Sequence, residues 1–449
     1  MAENFAAQAG SGQINLFEIY PNYKEEPLDV ASACIELNYY ESILDNTVRA
    51  EATLVDTGYR KSGQDGASIF EKDDLDMTSG EKVHLKITDG YDTQLQFIDD
   101  KQLRINGDPS ASSQDVNKVV FSIDMYSKES IDNTIADNWV YGKYEGKISD
   151  SFKAILQNSL KTPKDIFADP GLNTYNFLGH AEKPFYLGCF LAKKCVPDLP
   201  DAFGNLAGYL FYETYDGFNF RSIDMLFMQE PKRKLIFNQL IGEIPEGYDG
   251  KILDYSFIGT INLDNVVKSG ALTRIRQQKF DRFTNQYAEE SLTIAPNSYK
   301  GDNNGGLEKP KVACDILEDE NGELKVTRHV NSRMADRGIL PPGSSLKQQI
   351  ERSQEPNFNI DEIQRQSIMR YNQLYSNKLS IAISGDFSLR AGDLVYCDFP
   401  EVSGKTNRVV SQKVGGIYMI ADVCHRITKN NCYTRLNLVR DSIYRKPFK

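Results

Sequence analysis

The segment 208–226, GYLFYETYDGFNFRSIDML, constrains the fold more than any other part of the chain. Its side chains alternate with a period of two on both sides of Asp216 and Gly217, and an Asp-Gly pair inside such alternation is typical of a β-hairpin. The remaining sequence repeats this strand-and-turn pattern many times. The chain is therefore predicted to consist mainly of half-buried, aromatic-rich strands.

Strand patterns fill residues 1–125. Residues 35–39 and 48–54 alternate apolar and polar side chains around a turn at 45–46, which predicts a hairpin with one face in water. Further short runs of the same kind lie at 83–87, 95–97, 103–105 and 119–123. Many short antiparallel strands in one region predict a β-barrel or sandwich. The polar stretch 57–81 is predicted to be a long loop.

The hydrophobic period changes after residue 126. Ile148, Phe152 and Ile155 recur at helical spacing, and a second short helix is predicted between 185 and 196. Residues 126–205 are therefore predicted to form an α-containing insertion between two strand-rich regions.

Strand patterns return in residues 311–440. This range also contains a helix, predicted at 358–376. Ile360, Ile363 and Ile368 mark the apolar face of this helix. The strands that follow are predicted at 379–383, 394–399, 417–427 and 433–439. This region is predicted to form a second β-barrel.

Four strands are few for a closed barrel, and an open sheet would expose strand edges that proteins avoid. We therefore expect the hairpin region 206–235 to complete the second barrel, which makes that barrel discontinuous. Residues 236–310 are then a mixed insertion with a loop, and 441–449 a basic C-terminal tail.

Composition restricts the possible partners. The net charge of -11 argues against a protein that reads nucleic acids, because neutralising phosphates requires clustered Lys and Arg. The seven cysteines are odd in number and scattered, so reduced thiols are predicted rather than a disulfide framework. No apolar run approaches the roughly 18 residues of a membrane span, and no membrane insertion is predicted.

Two short motifs suggest ligand sites, but neither has the full pattern. Ser403-Gly404-Lys405-Thr406 lacks the first glycine of a phosphate-binding loop, because Phe399 stands at that position. The segment 319–322, DENG, resembles part of a calcium loop but places Leu317 and Arg328 at ligand positions. A hairpin turn is the better interpretation of this segment.

No catalytic or metal-binding constellation is apparent. The four histidines, at 84, 180, 329 and 425, have no zinc-site spacing. Cys424 and His425 are neighbours in a predicted strand and so point to opposite faces, which argues against their joining Cys432 around one ion. We predict no enzyme and no cofactor. A Cys-His enzyme and a carboxylate pair cleaving glycosides stay open, because sequence alone gives no geometry for them.

Four stretches carry a resemblance to a known family. They are NYYESILDNTVRAEATLVDTG at 38–58, the hairpin at 208–226, AGDLVYCDFPE at 391–401, and GGIYMIADVCHRITKNNCYTRLNLVRDSIYRKPF at 415–448. In these stretches the chain resembles the central hub protein of the baseplate in contractile-tailed, T-even-like phages, and is most similar to the cyanophage versions. The last stretch is the most specific.

The resemblance implies an α+β protein that is mainly β, with two tail-tube-like antiparallel β-barrels and an inserted α-containing region. It implies a homotrimeric ring that adapts the six-fold tail tube to the three-fold central spike and lets DNA pass in transit. The implied partners are the spike, the tail tube or its initiator, and the baseplate wedge proteins. The implied location is the virion tail baseplate, after assembly in the host cytoplasm. The alternatives are a tail-associated enzyme that degrades the cell envelope, and the hub of a phage-derived contractile injection system.

Aromatic strand faces and the basic C-terminus are the predicted contact surfaces. The residues expected at interfaces are Tyr39, Tyr40, Tyr212, Phe218, Phe220, Arg440, Arg445 and Lys446. Truncation after Val439 is accordingly expected to abolish assembly and leave the fold intact.

Overall fold

A computed structural model describes most of the chain and confirms that it is mainly β. The described residues are 10–22, 26–56, 79–107, 110–115, 118–198, 207–237, 244–258, 264, 267–268, 274–281, 286–293, 315–333, 345, 347, 360–400, 411, 414–428 and 431–441. Most of the predicted loop at 57–81 lies outside this part of the chain.

The N-terminal module is a curved antiparallel sheet around one apolar core. Its strands are β1 (Gln13–Tyr20), β2 (Leu28–Asp29), β3 (Cys34–Ser42), β4 (Arg49–Asp56), β5 (Lys82–Thr88), β6 (Gln94–Phe97), β7 (Leu103–Ile105), β8 (Ser110–Asp115) and β9 (Lys118–Ser127). They pair in the order β2-β1-β5-β7-β9-β4-β3, with β6 on β5 and β8 on β9. Alternate side chains of each strand point into this core. In β4 these are Ala50, Ala52 and Leu54, which are fully buried.

The second region combines short helices with short strands. Its elements are α1 (Lys128–Asp132), β10 (Lys143–Tyr144), α2 (Ile148–Ile155), β11 (Asp165–Ala168), β12 (Phe177–Leu178), α3 (Pro184–Ala192), β13 (Tyr209–Thr214), β14 (Gly217–Ser222) and α4 (Ile223–Phe227). The predicted apolar face of α2 is buried, and Phe152 stacks on Phe220 with ring centroids 4.2 Å apart.

The predicted hairpin is present as β13 and β14, with Thr214 opposite Gly217 at its turn. Its predicted place in the C-terminal barrel is wrong. The outer edge of β14 pairs in parallel with β11, and these three strands form a separate sheet. One face of the hairpin, including Phe211, packs on the second region, while Tyr212 on the other face packs in a core shared with the C-terminal module. The hairpin therefore contacts that module with a face and not with an edge.

The remaining described elements follow α4 in the sequence. They are β15 (Arg233–Phe237), β16 (Gly250–Phe257), β17 (Arg274–Asp281), β18 (Gln286–Thr293), β19 (Val326–Arg333), α5 (Ile360–Leu374), β20 (Asn377–Ser384), β21 (Leu394–Asp398), β22 (Gly416–Thr428) and β23 (Cys432–Arg440). Helix α5 confirms the helix predicted at 358–376. None of the described helices is both long and apolar enough to cross a membrane.

The C-terminal module is a closed barrel in which β22, β21, β15, β16, β20 and β23 pair in turn and β23 returns to β22. The barrel is discontinuous, as predicted, but β15 and β16 complete it and the 208–226 hairpin does not. The pairs β15–β16 and β15–β21 are parallel, and the others are antiparallel. Closure removes the free edges that four strands would have left.

Among the described strands, one pair joins the two modules. Strand β3 pairs with β22 along its length, from Glu36 opposite Thr428 to Ser42 opposite Asp422. The N-terminal sheet and the C-terminal barrel are thus parts of one continuous 15-stranded sheet.

A smaller three-stranded sheet, β18-β17-β19, lies in the insertion between β16 and α5. The segment 319–322 before β19 is a tight turn, in which the Asp319 carboxylate accepts hydrogen bonds from the N–H groups of Asn321 and Glu323, each at 2.9 Å. This carboxylate therefore caps the turn, which confirms the hairpin interpretation.

The contact between the hairpin and β11 can be tested by substituting Gly217. Its φ of +147° is unusual for other residues, and an added Cβ would lie 2.3 Å from the carbonyl oxygen of Asp165. Gly217→Ala should therefore lower the free energy of unfolding by about 3 kcal/mol. Gly322→Ala is the matched control, because Gly322 also has a positive φ but has no atom within 4 Å of the added Cβ; its cost should be about 1 kcal/mol. Equal losses in denaturant titrations would contradict the proposed clash.

Candidate functional site

Four of the aromatic residues predicted at interfaces are buried in the folded chain. Tyr39, Phe218 and Phe220 have no exposed surface, and Tyr212 is 2% exposed. Phe218 and Phe220 pack in the core of the second region. These side chains cannot contact a partner protein, so the structure corrects their predicted role.

Arg440 and Asp441 are more deeply buried than predicted. Arg440 is 1% exposed, donates a hydrogen bond of 2.7 Å to the carbonyl of Gly415, and lies over the ring of Tyr418. Asp441 is buried as well, in an ion pair with Arg370. Truncation after Val439 would therefore damage the fold itself, contrary to the prediction. Arg445 and Lys446 lie outside the described residues.

Glu41 of β3 is the centre of the junction between the modules. Its fully buried carboxylate accepts hydrogen bonds from the Tyr39 hydroxyl and from the N–H groups of Tyr215 and Ala391, at 2.8 to 2.9 Å. The Arg390 guanidinium lies 3.9 Å away. Burial raises the pKa of Glu41, while Arg390 and the three donors oppose this rise. One carboxylate thus connects the N-terminal sheet, the hairpin turn and the segment that leads into β21.

A second buried network joins the hairpin to helix α1 and to the segment before β11. The Lys164 ammonium lies 2.7 Å from the Glu129 carboxylate and 2.6 Å from that of Glu213. Glu213 also accepts a hydrogen bond of 3.0 Å from the N–H of Val48, next to β4. Burial alone would lower the pKa of Lys164, but the two carboxylates outweigh it and raise this pKa. The same network therefore contacts the N-terminal module.

A third network joins helices α4 and α5 to Asp441, which follows β23. Arg370 of α5 donates to the Asp224 carboxylate of α4 at 2.6 and 3.1 Å, and to Asp441 at 2.6 Å. All three side chains are buried. Breaking such a pair by removing one partner costs about 3 to 5 kcal/mol, because the other charge is left buried. The three networks therefore hold segments that are far apart in sequence in fixed positions.

Sequence reasoning missed these networks, although one signal was available. Glu213 is a lone charge inside an aromatic run, and Glu41 follows two tyrosines in β3. A carboxylate among buried strand residues requires a partner. The pattern could not identify that partner, because Lys164 and Arg390 lie in other regions of the chain.

Tyr40 has a different position from Tyr39. It is half-buried on the outer face of the continuous sheet, with the Arg49 guanidinium 5.9 Å from its ring. Arg49 pairs with Asp124 at 2.7 Å, and Arg426 of β22 pairs with Glu36 of β3 at 2.8 Å. This outer face crosses from one module to the other and carries both signs of charge.

The predicted opposite orientation of Cys424 and His425 is confirmed, since His425 is fully buried and Cys424 only partly. The Nδ1 atom of His425 lies 2.9 Å from the Thr434 hydroxyl, and burial lowers the pKa of His425 to about 3. No three metal-ligating side chains meet at one point in the described part of the chain.

Solved structures with the same overall arrangement come from prophages and bacteria. The 43 kDa tail protein of prophage MuSo2 from Shewanella oneidensis matches with a TM-score of 0.53 and 9% identity, covering 96% of this chain and 99% of that one. The tail protein from Neisseria meningitidis MC58 matches with a TM-score of 0.51, 9% identity and the same coverages. This chain has a phage tail protein fold. No protein-family model matches the sequence, and no curated protein matches it.

The junction carboxylate can be tested by substitution. Glu41→Ala removes the acceptor of three hydrogen bonds and leaves the buried N–H and hydroxyl donors without it, so the free energy of unfolding should fall by about 3 to 5 kcal/mol. Arg390 keeps its other carboxylate partner, Asp216, at 3.1 Å. Glu246→Ala changes an exposed carboxylate of the described chain and should alter stability by less than about 0.5 kcal/mol. Both values can be measured by denaturant unfolding, and a Glu41→Ala loss as small as that of the control would refute the role of Glu41.

His425 gives a pH test. The unfolded chain binds a proton at this imidazole below a pKa of roughly 6.5, whereas the folded chain does so only near 3. The unfolding free energy should therefore fall as pH decreases between these values, with up to about 1.4 kcal/mol per pH unit from this group. His425→Gln should remove this part of the slope, while Thr434→Ser, which keeps the hydroxyl, should retain it. An unchanged slope in His425→Gln would contradict the assignment.

Proposed function

We propose that the chain is a structural hub of a phage tail baseplate. The observation that carries the proposal is the fold shared over 96% of this chain with two tail proteins, one of them from a prophage. The resemblance of 38–58, 208–226, 391–401 and 415–448 to the hub proteins of T-even-like phages, of the cyanophage type, supports the same role. The chain then acts in the virion tail, after assembly in the host cytoplasm.

The architecture suits an adaptor ring. Each chain has two β-modules joined in one sheet, so three copies would present six modules to a six-fold tail tube or its initiator, and a three-fold face to a central spike. Wedge proteins would contact the ring from outside. A part that transmits force needs rigid junctions, and the buried networks of Glu41, Lys164 and Arg370 supply them.

DNA would contact such a ring only in transit. The net charge of -11 would repel phosphates and favour free passage through a lumen. The contacts between copies and with partners are proposed for two surfaces: the outer face around Tyr40, and the basic tail with Arg445 and Lys446. The tail begins after Asp441, which belongs to the fold.

Two other functions remain distinguishable. The hub of a phage-derived contractile injection system would share the ring and differ in its partners. An envelope-degrading enzyme would release soluble fragments from purified cell walls, and the hub proposal predicts no such release. Turnover that survives repurification and is lost by substitution of one residue would favour the enzyme.

The ring can be tested by imaging and mass measurement. The purified protein is expected to form a three-fold particle with three times the 50.7 kDa mass of the chain. Tyr40→Ala should raise the dissociation constant of the particle by about tenfold or more, because aromatic residues contribute much of the binding energy at interfaces. Tyr141→Ala removes a ring that is 64% exposed in the second region and should have no such effect. A single-copy particle without symmetry at high concentration would refute the ring.

A further inference from the structure

A groove of about 480 Å³ lies in the second region, between β12 and helix α3. Its lining includes Tyr175, Phe177 and Leu178 from the strand side, and Tyr186 and Phe190 from the helix. Leu178 and Tyr186 are 52% and 56% exposed, so large apolar side chains flank the groove on both sides.

The walls of the groove are held in place by ring contacts. Tyr175 stacks near Phe177 with ring centroids 5.7 Å apart, and Tyr186 stacks near Phe190 at 6.4 Å. The buried Lys194 ammonium lies 4.6 Å from the ring of Tyr175 and 4.2 Å from that of Phe190. A cation over two rings fixes them against each other. The groove is therefore pre-formed.

Strand β12, which contributes Phe177 and Leu178 to the groove, has one edge that faces away from β10. In the ribbon that contains β10 and β12, the N–H of Tyr175 bonds to the carbonyl of Gly146 and the N–H of Gly179 to that of Gly142, each at 2.9 Å. Antiparallel pairing alternates, so the intervening Leu178, opposite Lys143, directs its N–H and C=O away from the partner strand. Within the described ranges no further strand pairs with β12.

We propose that this groove binds an extended apolar segment of a partner polypeptide, which adds to β12 as a third strand. The outward backbone groups of Leu178 would supply main-chain hydrogen bonds, and the aromatic groove would take alternate side chains of the added strand. The rim carries both Lys143 and Glu182, so it selects for neither sign of charge. The proposal does not depend on the ring.

The test uses the full chain and a displayed library of random linear peptides as the probe. Selected peptides should alternate apolar residues. Leu178→Pro removes the outward N–H together with the leucine side chain, at a position where an edge strand tolerates proline, and should weaken binding by about tenfold or more. Leu178→Ala keeps the N–H and should retain binding within a few-fold. Tyr186→Ala removes a wall and should weaken binding as Leu178→Pro does. Unchanged thermal unfolding would verify the fold of each variant.

A second measurement needs no variant. Selected peptides that are N-methylated at single positions should lose binding to the wild-type protein at every other residue, because only alternate N–H groups face the edge. Several results would overturn the proposal: equal losses for Leu178→Pro and Leu178→Ala, no periodicity on methylation, failure to select any peptide, or displacement by soluble oligosaccharides. Self-association that Leu178→Pro abolishes would also overturn it, since the occupant would then be a second copy.

Discussion

The buried carboxylate of Glu41 is the interaction on which the arrangement of the modules depends. It accepts hydrogen bonds from β3 itself, from the hairpin turn and from the segment before β21, while Arg390 offsets its charge. A carboxylate without these donors would be very costly in a dry site. The three parts must therefore come together in one geometry for the charge to be tolerated, which makes the junction specific as well as stable.

The other two networks apply the same principle. Lys164 and Arg370 each form ion pairs with two carboxylates from distant parts of the chain. Apolar packing in the cores would tolerate small shifts between modules, but short charge-assisted hydrogen bonds do not. Together with the continuous pairing of β3 and β22, they hold the two modules and the second region in one fixed arrangement.

Local elements were predictable because they follow from side-chain period. The turn at Gly217 and the helix α5 both appear where the sequence indicates them. The partner of each strand edge was not predictable. Both faces of β13 are buried, and alternation cannot say that one face packs on the second region and the other on the C-terminal module. The same limit explains why Tyr212 and Phe218 were expected at interfaces, since a core aromatic and an interface aromatic have the same local pattern.

The sequence by itself determined that the chain is mainly β, where its turns lie, and which residues of each strand share a face, because these depend on neighbours within a few residues. Only the tertiary structure decided that β15 and β16 close the C-terminal barrel, that the hairpin joins β11, and that Glu41 and Lys164 find their counter-charges. Strand pairing and buried ion pairs link residues separated by long stretches of chain. Their partners are fixed by the packing of the whole molecule and leave no periodic trace in the sequence.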